Sequence, residues 1–295
     1  MIVAYRSNDS VIRCVDSLLG EGIVTIVVVD NDPVGDGSSL RQALKERLSR
    51  ITLVRPGQNL GYGGGINFGR GYLDNQCTLL LISNPDLEYS PGSVQYLASQ
   101  LREHDLKAVG PKIVGDDDNT YPSARQFPAP LTAAMHTLLG AFFPNNPFSE
   151  TYKMKQVSFT DLVTEVDWIS GACILVDLSI FDNLGGFDEG YFMYVEDLDL
   201  CWRIAKDGGR VGYVPGAQVR HTQGTSTASH PYKMELAHYR SALRFCRKTQ
   251  RRFFGLSIVP AGISLTIRLA LVVTAKFARR TAGRYWSGKS HRVTG

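Results

Sequence analysis

The residues with the most chemical potential are acidic, and they lie far apart in the chain. Glu196-Asp197-Leu198-Asp199 places three carboxylates within four residues, at the start of an otherwise apolar helical pattern that includes Val195, Leu200, Trp202 and Ile204. A helix start stabilises acids through its dipole, so the cluster has a purely structural explanation. Glu196 and Asp199 also share one side of such a helix, and a carboxylate positioned near a hydroxyl is what a general base requires. Asn84-Pro85-Asp86 closes the apolar run Leu79 to Ile82. Asp86 there can ligate a hard cation such as Mg²⁺ or Mn²⁺, which takes carboxylate oxygens and bridges phosphates. An Asx-type turn is the alternative. His221 follows a short strand pattern and can add a second ligand or serve packing alone. Asp30 and Asp32 follow the run Ile23 to Val29, where a carboxylate can accept from a base N–H or a ribose hydroxyl, or form an ordinary charged turn.

The segment Asn59 to Gly69 has four glycines among residues 61–65. That implies close backbone approach, by a ligand or by the chain itself. It is neither a dinucleotide fingerprint nor a phosphate loop, because no G-x-G-x-x-G follows the first strand and no Lys-Ser or Lys-Thr follows the glycines. A helix starting near Ile66 can still direct amides at a phosphate.

These residues need elements to hold them. Apolar runs at 1–5, 23–29, 51–54, 77–83 and 108–114 predict strands, and amphipathic patterns at 10–19 and 40–48 predict helices between them. A further helix follows the glycine-rich segment. Another runs from Ser90, a candidate cap, through Pro91 to Leu101. This alternation predicts an α/β fold with a doubly wound, mostly parallel sheet of Rossmann type. Ligands of such sheets sit beyond the carboxyl ends of the strands, where Asp30, Asp32 and Asp86 fall. Residues 115–165 lack periodicity and carry Pro122, Pro128, Pro130, Pro144 and Pro147, which predicts an insertion or lid with a helix near 131–140. Order returns with a strand over Trp168 to Val176, a short helix over Ser179 to Leu184 and the turn Gly185-Gly186-Phe187-Asp188. A helix over Val195 to Lys206, short strands over Arg210 to Val214 and Ala217 to Arg220, and a basic helix over 234–252 complete the pattern.

The chain has 295 residues, 43% of them hydrophobic and 20% charged, which excludes disorder and suits one large domain with a tail. A net charge of +4 and a basic helix without a recognisable module do not make a nucleic-acid-binding protein. Cys14, Cys77, Cys173, Cys201 and Cys246 form no C-x-x-C pair and read as thiols of a reducing compartment. No signal-peptide pattern precedes the first strand. Phe253 to Phe277 is apolar but broken by Pro260, Gly262 and Arg268, with basic flanks. It is too interrupted for a spanning helix and suits one lying in a membrane interface, or one packed on the enzyme or a partner subunit.

Taken in order, the Asp30-Asn31 turn, Asn59 to Gly69, Asn84-Pro85-Asp86, Trp168 to Ala172, Gly185 to Asp188 and Phe192 to Asp199 resemble the inverting glycosyltransferases of family 2, which have the GT-A fold. The resemblance covers nearly all of residues 1–245. Tyr121 to Gln126 and Phe192-Met193-Tyr194 bring it nearest to members that move L-rhamnose from dTDP-rhamnose to a polyprenyl-diphosphate-linked GlcNAc in cell-wall linker synthesis. It implies a catalytic domain over 1–245, with a nucleotide-binding half at 1–114, a lid at 115–165 and an acceptor-binding half at 166–245. A membrane-associating tail follows at 246–295.

The resemblance further implies that Asp197 is the catalytic base, with Glu196 or Asp199 in reserve. Asp30 would contact the pyrimidine, with Tyr5 and Asp32 beside it, and Asn59, Gly65, Asn67 and Asn84 would line the nucleotide. Trp168 and Gly171 would border the acceptor sugar. Asp86 stands at the last acid of an Asp-x-Asp motif whose first position here is Asn84, so Mg²⁺ or Mn²⁺ would rest on Asp86 and His221. Arg125 matches the acceptor diphosphate in chemistry, or anchors the lid by a salt bridge. The expected setting is the cytoplasmic face of the cell membrane, peripherally bound, with a homodimer compatible. Two alternatives remain open at this point: a donor such as UDP-galactose, UDP-glucose or UDP-GlcNAc, and a non-catalytic sugar-nucleotide-binding subunit.

Overall fold

The computed structural model describes residues 1–127, 162–222 and 231–249. The helix expected near 131–140 and the apolar tail at 253–284 lie outside the described residues. Strands β1 (Ile2–Ala4), β2 (Val27–Asp30), β3 (Thr52–Val54) and β4 (Leu79–Ser83) pair in parallel in the order β3-β2-β1-β4. Val27, Val28 and Val29 are all fully buried, because both faces of the sheet are covered. This is why the strands read as continuous apolar runs. Val28 joins Ile2, Val15 and Leu97 in one core layer, while Val27 and Val29 join Ile66, Phe181 and Tyr213 in the other.

The helices between these strands are α1 (Asn8–Leu19), α2 (Ser38–Ala43) and α3 (Gly61–Arg70), followed after β4 by α4 (Ser93–Glu103). Three expectations change. The strand predicted from Ile23 begins only at Val27: pairing reaches no further back than the Ile26 carbonyl, which accepts the Thr52 N–H, Gly22 has φ +65°, and Val24 is exposed. The helix predicted near Ile66 begins at Gly61 instead. The cap of α4 is not the Ser90 side chain. Gly92 stands there at φ +81°, and the buried carboxylate of Glu21 accepts from the N–H groups of Gly92 (2.7 Å) and Val94 (2.9 Å).

The second half of the sheet is mixed. After Asp86 the short edge strand β5 (Leu87–Tyr89), not foreseen from the sequence, leads through α4 to β6 (Ala108–Gly115). Thr120–Tyr121 (β7) pairs with β6, and Ala124–Arg125 (β8) leaves the sheet. Thr164–Val166 (β9) follows. The run predicted as one strand from Trp168 splits into β10 (Trp168–Ile169), which pairs with β8 in a separate ribbon, and β11 (Cys173–Asp177). β11 inserts antiparallel between β4 and β6. The two short strands expected after Arg210 are one strand, β12 (Val211–His221), whose register shifts between Val214 and Gln218. Pro215 lies in that irregularity, where a missing N–H is tolerated.

Three more helices close the described structure: α5 (Leu178–Asn183), capped by the Asp177 side chain, α6 (Glu196–Lys206) and α7 (Pro231–Thr249). Two basic residues of α7 are used inside the protein. Arg244 and Lys248 pair with Asp188 at 2.8 and 2.9 Å, and Lys248 also pairs with the fully buried Asp199 at 2.7 Å. Phe245 packs edge-on to Trp202. Burial opposes the charge on Asp188, but Lys248, the Gly190 N–H and Arg244 outweigh it and bring its carboxyl down to about 2. No helix among the described residues is long and apolar enough to cross a membrane. All five cysteines are free thiols, and burial raises Cys14, Cys173 and Cys201 to about 12.

Because Glu21 caps α4 from a distant loop, Glu21→Ala should lower unfolding free energy by about 1–3 kcal/mol. Urea denaturation followed by far-UV circular dichroism measures it, and an unchanged midpoint would show the cap to be dispensable.

Candidate active site

The acidic cluster opens α6, and its three carboxylates have separate fates. Asp199 is fully buried. Arg203 (2.7 Å) and Lys248 (2.7 Å) pair with its two oxygens, and the Tyr191 hydroxyl donates to it at 3.2 Å. It ties α6 to α7 as a buried anchor. Glu196 is 5% exposed, and its Oε2 has no hydrogen-bond partner among the described residues. Burial, then the neighbouring Asp197, raises its carboxyl to about 8. Asp197 is the partly exposed member. It accepts from the N–H of Gly171 at 2.7 Å and of Leu198 at 2.8 Å. Burial pushes its carboxyl up, while the two N–H groups and the Arg125 charge hold it down. The pair therefore divides its ionisation. Asp197 accepts from two N–H groups, while Glu196 Oε2 is buried without a partner among the described residues, so burial keeps the proton on Glu196 near neutrality.

The residues before α6 are strained. Tyr194 and Val195 both have left-handed backbones, at φ +67° and +72°. For a β-branched residue that is a real outlier, the kind that persists where surrounding structure over-determines it. Here the surroundings are specific. The Ser241 hydroxyl of α7 donates to the Met193 carbonyl at 2.9 Å, and the Tyr62 N–H of α3 donates to the Phe192 carbonyl at 3.1 Å.

The glycines of 61–69 serve the chain's own close packing. A Cβ on Gly63 would lie 2.8 Å from Phe187, one on Gly65 3.0 Å from Val3, and one on Gly69 2.8 Å from Met1 and Val29. α3 thus lies almost directly on the sheet. Gly65, expected at the nucleotide, faces β1. The Asn67 amide donates to the Phe187 carbonyl and accepts the Phe187 N–H, both at 2.9 Å, so it fastens α3 to the Gly185 to Asp188 turn. Asn59 accepts from the Asn31 amide (3.1 Å) and the Gly61 N–H (2.9 Å), and Asn31 also donates to the Gly61 carbonyl and accepts from the Leu60 N–H. The sequence reading gave Asn31 no role. Its position between two acids at a buried strand end was the available signal.

Beyond the carboxyl ends of β1 and β2, Asp30 is buried and lies 3.4 Å from Arg55 Nε. Asp32 pairs with Arg6 at 3.0 Å, and the Arg6 guanidinium lies over the Tyr5 ring. Beyond β4, Asp86 Oδ1 lies 3.0 Å from His221 Nε2. Strand pairing brings them together: β5 runs antiparallel to the end of β12, with His221 opposite Leu87, and the Thr222 N–H donates to the Asp86 carbonyl at 3.0 Å. No set of three His, Cys, Asp or Glu side chains converges among the described residues, so this pair stands as two protein groups. Asn84 is held by its N–H on the Ala172 carbonyl at 2.8 Å.

The β8–β10 ribbon forms another wall. Trp168 and Arg125 are direct partners across it. The Trp168 indole donates to the Gln126 carbonyl at 2.9 Å. The Gly171 carbonyl accepts from the Tyr62 hydroxyl at 2.8 Å, so Gly171 is held at both ends. Tyr62 is a site residue the sequence reading missed, although it interrupts the glycines.

Comparison with known proteins places this geometry. The Glycosyl transferase family 2 profile matches residues 1–165, and that of Glycosyl transferase family group 2 matches 134–286. The N-acetylglucosaminyl-diphospho-decaprenol L-rhamnosyltransferase of Mycobacterium tuberculosis is 36% identical over 242 residues, covering 78% of this chain and 76% of that one. Rhamnosyltransferase WbbL of Escherichia coli is 35% identical over 141 residues, covering 46% and 50%. Among solved structures, the mannosyltransferase PcManGT of Pyrobaculum calidifontis, in complex with GDP-Man and Mn²⁺, has a TM-score of 0.56 at 14% identity. It covers 98% of this chain and 78% of that one. That likeness extends to the fold.

A pH test follows from Glu196. Its carboxyl is raised in the folded state, so its contribution to stability is full below the ordinary carboxylate range and is lost as pH rises through about 8. The urea midpoint should therefore fall between pH 5 and pH 8.5, and by less in Glu196→Gln. Parallel pH dependence in the two proteins would remove the assignment.

Proposed function

The chain belongs to glycosyl transferase family 2, and from that membership we propose that it transfers L-rhamnose from dTDP-rhamnose, with inversion, to the GlcNAc of a polyprenyl-diphosphate-linked acceptor. The observation that carries the chemical half of the reading is the Asp197 carboxylate. It is partly exposed where Glu196 and Asp199 are buried, and two backbone N–H groups fix it in place. The substrate half rests on the Mycobacterium tuberculosis relative, whose likeness covers three quarters or more of both chains.

In this reading Asp197 accepts the proton of the acceptor hydroxyl. The hydroxyl oxygen bonds to the anomeric carbon from the face opposite the diphosphate. The bond from that carbon to the diphosphate oxygen breaks, and its electron pair leaves with dTDP. Glu196, holding its proton, adds no second negative charge beside the base. Gly171 orients the base through its N–H and leaves space for the acceptor sugar, whose other border is Trp168. Tyr5, Asp30 and Asp32 lie on the nucleoside side, with Asp30 toward the pyrimidine.

The donor set at Asp86 and His221 fits a divalent cation. Mg²⁺ and Mn²⁺ are commonly held by one or two protein groups together with substrate phosphates, and a carboxylate with an imidazole 3.0 Å away is such a pair. When bound, the cation neutralises charge on the departing diphosphate. The tail at 253–284 keeps the enzyme on the cytoplasmic face of the membrane, where a polyprenyl-linked acceptor is anchored.

Asp197→Asn should reduce transfer by about 10²–10⁴-fold, with dTDP affinity kept within about threefold. Product formation and calorimetry measure the two, and near-normal turnover would refute the base assignment. A screen of dTDP-rhamnose against UDP-galactose, UDP-glucose and UDP-GlcNAc, with and without Mn²⁺, tests donor and cation together. Preferred turnover of a UDP-sugar would overturn the donor. Truncation after Arg252 should move the protein from membrane to supernatant on flotation, and unchanged flotation would exclude the tail.

A further inference from the structure

Arg125 is the cation whose surroundings the reaction has not explained. It forms no ion pair with another described residue. Its guanidinium lies over the Trp168 ring at 4.9 Å and near the Tyr121 ring at 5.8 Å. Nε donates to the Pro122 carbonyl at 3.0 Å, and one terminal nitrogen donates to the Tyr121 hydroxyl at 3.3 Å. Stacking and the Pro122 bond fix the plane of the fork, and no carboxylate among the described residues hydrogen-bonds it. A planar, pre-oriented guanidinium of this kind suits phosphate oxygens.

Its location narrows the ligand. Arg125 pairs across the ribbon with Trp168, the Ser170 N–H joins the Ser123 carbonyl, and the next residue, Gly171, holds Asp197, so Arg125 stands on the wall beside the base. Tyr121 separates it from the cation pair, with its ring edge-on to His221 at 6.3 Å between centroids. Asp86 and His221 already provide for the donor's diphosphate. The phosphate left over is the acceptor's. Resting on the reading of the site as a transferase for a diphosphate-linked acceptor, we propose that Arg125, clamped by Trp168 and Tyr121, is a subsite for the acceptor's diphosphate and selects phosphate-bearing acceptors over neutral glycosides.

Two measurements separate this subsite from the reading beneath it. The first is calorimetric binding of a GlcNAc-diphosphoryl-farnesyl probe and of a farnesyl GlcNAc glycoside without phosphate, with dTDP present, to wild type, Arg125→Lys and Arg125→Met. The wild type should prefer the diphosphate probe. That preference should fall about tenfold or more in Arg125→Met, and by less in Arg125→Lys, which keeps the charge without the fork. An unchanged ratio overturns the subsite, as does a loss shared equally by both probes. So does a shift in the pH profile of transfer with the ratio intact, which marks a guanidinium that only tunes Asp197. The second is rhamnose transfer by wild type. If it fails while Arg125 still governs the binding ratio, the rhamnosyl reading falls and the diphosphate subsite stands. If transfer succeeds and the ratio ignores Arg125, the reverse holds.

Discussion

The site depends on one short break in the chain. Between β10 and β11, residues Ser170-Gly171-Ala172 leave one strand pairing and join another, and four parts of the site attach to them. The Gly171 N–H holds Asp197, the Gly171 carbonyl takes the Tyr62 hydroxyl of α3, and the Ala172 carbonyl takes the Asn84 N–H at the turn that carries Asp86. The Ser170 N–H reaches the Ser123 carbonyl beside Arg125. A side chain at 171 would meet the Asp197 carboxylate, with its Cβ 3.0 Å from that of Asp197. Asp197, the glycine helix, the Asp86 turn and the β8–β10 ribbon are therefore fixed relative to one another through three residues. A break of this kind is possible because β11 runs antiparallel to its neighbours and so need not return by a helical crossover.

What could be read in the sequence follows from the same physics. β2 and β4 announce themselves because strands covered on both faces must be apolar throughout, and the acids that follow them mark the ligand edge of the sheet. The meeting of Asp86 with His221 was legible as chemistry and not as geometry. It needs the register of β5 on β12, and a three-residue edge strand leaves no periodic signature. The glycine-rich segment carried the right signal of close approach, but composition alone does not say whether a ligand or the sheet approaches. Val3, Val29 and Phe187 are the answer, and all three are distant in sequence from at least part of α3. Asp199 was separable from Asp197 in principle: Arg203 stands four residues after it, the spacing of a helical ion pair. Asn31, Glu21 and Tyr62 stayed hidden because each acts on backbone groups far along the chain, which no local pattern encodes.

The strain at Tyr194 and Val195 completes the argument about how the base is held. Two consecutive left-handed residues cost about 1–3 kcal/mol each, and nothing local offsets that at Val195. The compensation comes from both flanks. α3 ties the Phe192 carbonyl, α7 ties the Met193 carbonyl, and the ion pairs of Asp188 and Asp199 with Arg244 and Lys248 hold α7 against the turn. The reward is geometric. The abrupt turn starts α6 at Glu196, so that Asp197 falls in its first turn against Gly171 while the Glu196 side chain is buried. Burying one and anchoring the other gives the two carboxyls different surroundings, as the proposed division of roles requires. The basic helix α7, which looks in the sequence like a surface for an anionic polymer, is on this account the brace that keeps the base in position.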